Sequence, residues 1–134
     1  MSGLLKISDA ASIAMHVMAC LAGASDRWVA QHEIAEELEI SENHLAKVCQ
    51  RLVKSGFISA HRGPNGGIRL LADPSKLTLL DVYQAIEGPM TTDYCLLKRK
   101  TCPGQTCLMG GLVESVTRQI RDYFSETTIS DLAK

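Results

Sequence analysis

The stretch from Gln31 to Leu71 restricts the fold of this chain more than any other part of it. A short helical pattern over Gln31–Leu38 puts Ile34, Ala35 and Leu38 on one side, with no obvious N-cap before it. Glu39-Ile40-Ser41 then makes a tight connection, and Ser41 is a good N-cap for a second helix. In that helix Leu45, Val48, Cys49, Leu52 and Val53 recur at i, i+3, i+4, i+7 and i+8, while Asn43, Lys47, Gln50 and Lys54 point away from the stripe. Gly56 is the expected stop. Two strand-like segments, Phe57–Arg62 and Ile68–Leu71, flank Gly63-Pro64-Asn65-Gly66-Gly67 and predict a β-hairpin. Short helix, turn, helix and hairpin in this order predict a mainly α fold of the winged helix-turn-helix type.

The remaining segments fit around that unit. A first helix is expected from about Asp9 to Leu21, with Ser8 or Asp9 as its cap, Ile13, Val17, Cys20 and Leu21 facing inward, and Gly23 ending it. A fourth helix is expected near Thr78–Ile86, stopped by Gly88-Pro89. From Met90 to Thr106 no periodicity is visible, which predicts a loop. A long C-terminal helix is then expected over Leu108–Phe124, with Leu108, Leu112, Val116, Ile120, Tyr123 and Phe124 on its apolar side; Gly110-Gly111 fits that pattern poorly. The tail, 129–133, predicts one more turn capped by Ser130. This divides the chain into 1–89, a helix-turn-helix and wing region, 90–107, a cysteine-containing loop, and 108–134, a helix and tail.

Charge gives the first indication of a partner. The net charge is only −1. Yet residues 43–70 hold Lys47, Arg51, Lys54, Arg62 and Arg69 with no Asp or Glu, directly after an acidic block of Glu33, Glu36, Glu37, Glu39 and Glu42. One face can therefore meet phosphate while the rest repels it. In a helix-turn-helix the N-terminal part of the second helix enters the major groove. Here that part is Ser41, Asn43, His44 and Lys47; Asn can pair with adenine and Lys can reach guanine. Arg51 and Lys54 are placed to meet phosphates. Arg62 and Arg69 flank a hairpin tip of small residues that includes Asn65, and Arg62 is the candidate for a narrow minor groove. The expected partner is double-stranded operator DNA.

The cysteines point to a second chemistry. No apolar run is long enough for a membrane span, and Met1–Lys6 does not read as a secretory signal, so a cytoplasmic, reducing location is expected. Five cysteines, an odd number, are there a poor disulfide framework. Cys20 and Cys49 lie on apolar helix stripes and are expected to be core residues. Cys95, Cys102 and Cys107 form C-x6-C-x4-C in the loop, with Lys98, Arg99 and Lys100 between the first two. Such thiolates can converge on one inorganic centre, iron–sulfur or zinc, and the spacing alone does not name the metal. A fourth ligand is missing from the loop, and all four histidines lie in the N-terminal half. No phosphate-binding Gly-rich loop or nucleophile–base motif is present, so an enzyme is not expected.

Taken together, these residues resemble the family of bacterial winged-helix iron–sulfur regulators that includes IscR, NsrR and RirA. The resemblance rests on Lys6-Ile7-Ser8-Asp9, on Ile40 through Leu52, on Arg62-Gly63-Pro64-Asn65-Gly66-Gly67, on Ala85-Ile86-Glu87-Gly88 and on the three-cysteine loop. It implies a homodimer built on the long C-terminal helix, a palindromic operator, and DNA contacts at the positions of Asn43, Lys47 and Arg62. Ala46 stands where some members carry a glutamate, so their operator does not transfer. Met109 and Gly110 occupy the place of the IscR histidine ligand, whereas Asp9 matches the aspartate that NsrR supplies from the opposite subunit. The resemblance therefore implies an iron–sulfur cluster, 4Fe–4S favoured over 2Fe–2S, held by Cys95, Cys102, Cys107 and Asp9. A regulator of the same fold that senses through bare thiols or a partner protein is the alternative.

Overall fold

The computed structural model describes residues 7–24, 27–90, 108–109 and 111–133. Its order is α1 (Asp9–Gly23), α2 (Gln31–Leu38), α3 (Glu42–Lys54), β1 (Ile58–His61), β2 (Gly67–Leu70), α4 (Leu79–Glu87), α5 (Leu112–Glu126) and a short 3-10 turn, Ser130–Leu132.

Local chemistry explains most boundaries. Ser8, not Asp9, caps α1: its hydroxyl accepts from the Ala11 amide at 3.1 Å, which leaves Asp9 in the first turn. Gly23 is the last residue of α1 rather than a left-handed stop. Helix α2 has no side-chain cap, and it ends because Glu39 turns left-handed at φ 57°. That residue aims the chain into the tight turn before α3. Ser41 accepts from the His44 amide at 3.1 Å and starts α3. Helix α4 has a full capping box, Thr78 and Asp81 each accepting the other's backbone N–H. Helix α5 starts four residues later than the apolar pattern predicts, because Gly111 adopts φ 83° and serves as its N-cap. The tail turn is capped by Ile129 in place of Ser130, with Thr128 and Asp131 exchanging hydrogen bonds around it.

Strands β1 and β2 pair antiparallel from Ile58↔Leu70 to His61↔Gly67. A third stretch, which the sequence pattern did not reveal, joins them: Val29 and Ile68 exchange both backbone hydrogen bonds, at 2.9 and 2.8 Å. Helix α1 is the centre of the molecule and touches α3, α4 and β2. The core unites Val17, Met18, Leu45, Leu52, Ile58, Ile68 and Val82. Ile129 is fully buried in it, because its amide donates to the Leu77 carbonyl at 2.8 Å and the tail returns across the start of α4. Val53 departs from its predicted inward position and is 39% exposed; Cys20 is half-buried. Of the apolar side predicted for the last helix only Phe124 is buried and Ile120 partly so, while Leu108, Leu112 and Tyr123 each expose more than half their surface.

Candidate nucleic-acid interface

Helix α3 is two-sided. Leu45, Val48, Cys49 and Leu52 are buried, and Ser41, Asn43, His44, Lys47 and Gln50 are exposed. The apolar half packs on α1, α2, α4 and β1, which fixes the rotation of the helix and therefore which side chains face outward. Glu42 shares the first turn, where a carboxylate suits the helix dipole. Burial pushes the Cys49 thiol up to about 11, so this cysteine is an inert core residue.

The hairpin stands next to α3. Arg62, Gly63, Pro64 and Asn65 are all exposed at its tip. The turn closes by a hydrogen bond from the Gly66 amide to the Gly63 carbonyl, 2.9 Å. Gly66 faces the His61 carbonyl at 2.3 Å from where a Cβ would sit, so only glycine lets the chain turn this tightly. Arg62 leads directly out of β1 into this tip.

Two predicted basic contacts have partners inside the molecule. The Arg51 guanidinium donates to the Ile86 carbonyl at the end of α4. Arg69 lies over the Trp28 ring, 4.5 Å from its centre. Trp28 also meets His61 edge-on, with ring centres 5.2 Å apart. Neither Trp28 nor Val29 was singled out from the sequence; the apolar pair just before α2 was the available signal. Asp9 is exposed in the first turn of α1 and lines an open crevice of about 350 Å³ with Ser12, Ile13, His16, Leu38, Ile40 and His44. The crevice runs from the start of α1 to the start of α3. Cys95, Cys102 and Cys107 lie outside the described residues, and among the described residues no group of three His, Cys, Asp or Glu side chains could hold a metal. No described helix is long and apolar enough to cross a membrane.

An exposed polar helix face beside an exposed basic wing is the arrangement of DNA-reading winged helices. The model of the Rrf2 family, described as iron-dependent transcriptional regulators, matches residues 7–134. The chain belongs to this family. An HTH-type transcriptional regulator of Aquifex aeolicus is 34% identical over 128 residues, covering 93% of this chain and 89% of that protein. IscR of Vibrio campbellii is 29% identical over 76% of this chain, and that match spans only 61% of the IscR length. Among solved structures, CymR of B. subtilis, the global cysteine regulator, shares the fold with a TM-score of 0.78 at 24% identity over 97% of each chain. This Rrf2 protein is thus a transcription regulator of the winged-helix type, and its relatives are regulators rather than enzymes.

Proposed function

We propose that this Rrf2 protein is a cytoplasmic homodimer whose affinity for a palindromic operator is set by an iron–sulfur cluster. In this reading residues 1–89 read DNA, 90–107 carry the sensing cysteines and 108–134 pair the subunits. Ser41, Asn43, His44 and Lys47 approach base edges, Arg62 and Asn65 enter the minor groove, and Arg51 borders the phosphates from its seat on α4. The observation that carries the DNA reading is the exposure of all these groups on one helix face and the adjoining wing tip. The bare face of Leu108, Leu112, Val116 and Tyr123 supports pairing, since an apolar stripe of this kind is covered in a stable dimer.

Cys95, Cys102 and Cys107, with Asp9 of the partner subunit, would hold the cluster, 4Fe–4S in preference to 2Fe–2S. Three thiolates and a carboxylate fit the iron of such a cluster, and Asp9 stands on the exposed first turn of α1, where another segment can reach it. When bound, the group supplies iron–thiolate bonds that respond to nitric oxide, oxidants and iron supply. This chain's own part is to keep Asp9 in place through the Ser8 cap and to carry any shift of α1 across the crevice to His44. A second reading is favoured by the fold shared with the global cysteine regulator: the same cysteines act as bare thiols, or the protein answers to a partner protein.

Anaerobic purification separates the two. Iron and sulfide bound per chain, with a brown visible absorbance lost in Cys102→Ala, is the expected result. A colourless, iron-free protein after reconstitution assigns the cysteines to thiol chemistry or zinc and leaves the DNA-binding reading standing. Absence of salt-sensitive binding to duplex DNA would refute that reading as well.

A further inference from the structure

The ring of Trp28, the only tryptophan in the chain, lies against the outer surface of the wing. Side chains alternate along paired strands, so Ile58, Ala60, Ile68 and Leu70 share one face, and Ser59, His61, Gly67 and Arg69 share the other. The first face points into the core, where Ile58 and Ile68 are buried. On the second face Trp28 meets both charged or titratable side chains, His61 edge-on and Arg69 over its ring. Gly67 is the register partner of His61 and stands two residues before Arg69. A Cβ there would meet the Val29 carbonyl at 2.3 Å, so glycine is what lets the segment carrying Trp28 close onto β2. The two hydrogen bonds between Val29 and Ile68 then lock this segment to the strand.

We infer that Trp28 is a positioning residue for DNA binding: it clamps the wing from outside and so fixes where Arg62, the residue after His61, enters the groove. The inference rests on the DNA-binding reading above. A hairpin of four-residue strands held on one face only is a weak platform for a tip that must hold a guanidinium in a narrow groove. With the core on one face and Trp28 on the other, the strands cannot rock, and the loss of freedom on binding falls to the tip alone. The ring-to-cation and ring-edge contacts are of the strength that can supply such a bias at a partly exposed site.

The test is a double-mutant cycle between Trp28→Leu and Arg62→Ala. Affinity is measured by fluorescence anisotropy on a labelled duplex that the wild-type protein selects from a random-sequence pool. Circular dichroism confirms the fold of each variant. Trp28→Leu is expected to weaken binding about tenfold. Arg62→Ala is then expected to cost much less in that background than in wild type, because the contact is already lost. Trp28→Phe, which keeps a ring under Arg69, restores most of the affinity. Where Trp28→Leu does not fold, Arg69→Met replaces it in the cycle. Effects that add within about twofold overturn the inference and leave the DNA reading intact. A wild-type protein that selects no duplex overturns both.

Discussion

Gly67→Ala is the sharpest test of how the wing is built. The glycine adopts φ 154°, and an added Cβ would stand 2.3 Å from the Val29 carbonyl oxygen and 2.6 Å from its carbon. Both obstacles are backbone atoms, so no side chain can swing aside. The segment must lift, which breaks the two Val29–Ile68 hydrogen bonds, worth about 1 kcal/mol each net. Backbone strain in an unfavourable region adds about 1 kcal/mol. The sum, about 3 kcal/mol, lowers the thermal midpoint by about 10 °C for a chain of 134 residues. Gly63→Ala is the matched control: φ is 121°, but nothing lies within 4 Å of the new Cβ. It keeps only the strain term, a shift of about 3–4 °C. Thermal and urea unfolding followed by circular dichroism, at one fixed protein concentration, compares the two. Equal losses for both variants would refute the argument, since backbone conformation alone would then account for Gly67.

Other consequences can be measured on the same preparations. Ser41→Ala removes the cap of α3; about 1 kcal/mol of stability should be lost in urea unfolding, with weaker duplex binding because His44 and Asn43 sit in the frayed turn. Arg51→Met keeps the side chain's stem and deletes the hydrogen bond to the Ile86 carbonyl; a loss of about 1–2 kcal/mol in the same assay is expected. Asp73 is held below the usual carboxylate range first by the Ser75 hydroxyl, and Asp131 first by the Thr128 backbone N–H. A depressed folded pKa stabilises above the ordinary carboxylate range and is lost as pH falls through it, so midpoints should drop on acidification from about pH 5 to pH 2, less steeply in Asp131→Asn. Val116→Asp should make the sedimentation coefficient fall to that of a monomer while helix content is kept.

What the sequence revealed was what short-range chemistry decides. The cap at Ser41, the choice of Ser8 or Asp9 ahead of α1, the stripe of α3 and the Gly-rich hairpin all depend on residues within four positions of one another. The misses depend on distance along the chain. Val29 joins the wing because of Ile68, and Ile129 is buried because of Leu77. Neither pairing leaves a periodic mark. Helix α5 starts late because Gly111 turns left-handed, a possibility that Gly110-Gly111 hinted at without fixing the residue. The exposed polar groups of α3 could be listed from its stripe, but the partners of Arg51 and Arg69 could not, since Ile86 and Trp28 lie far off in sequence. The C-x6-C-x4-C pattern was legible as chemistry, and its geometry lies outside the described residues.

Those two internal partners bear on how a sensing segment could act on a reading helix. The last turn of α4 precedes the cysteine stretch in sequence, and it is tied to both other parts of the proposed switch. Its Ile86 carbonyl accepts from Arg51 of α3, and its Glu87 carboxylate accepts from the hydroxyl of Ser8, the residue that caps α1 beside Asp9. A displacement of this turn by a few tenths of an ångström cannot be absorbed locally, because Val82 and Ile86 are packed in the shared core. It must instead move α3, loosen the start of α1, or break one of the two hydrogen bonds. In Ala85-Ile86-Glu87-Gly88 the carbonyl of Ile86 serves α3, the carboxylate of Glu87 serves the start of α1, and Gly88 at φ 83° ends the helix.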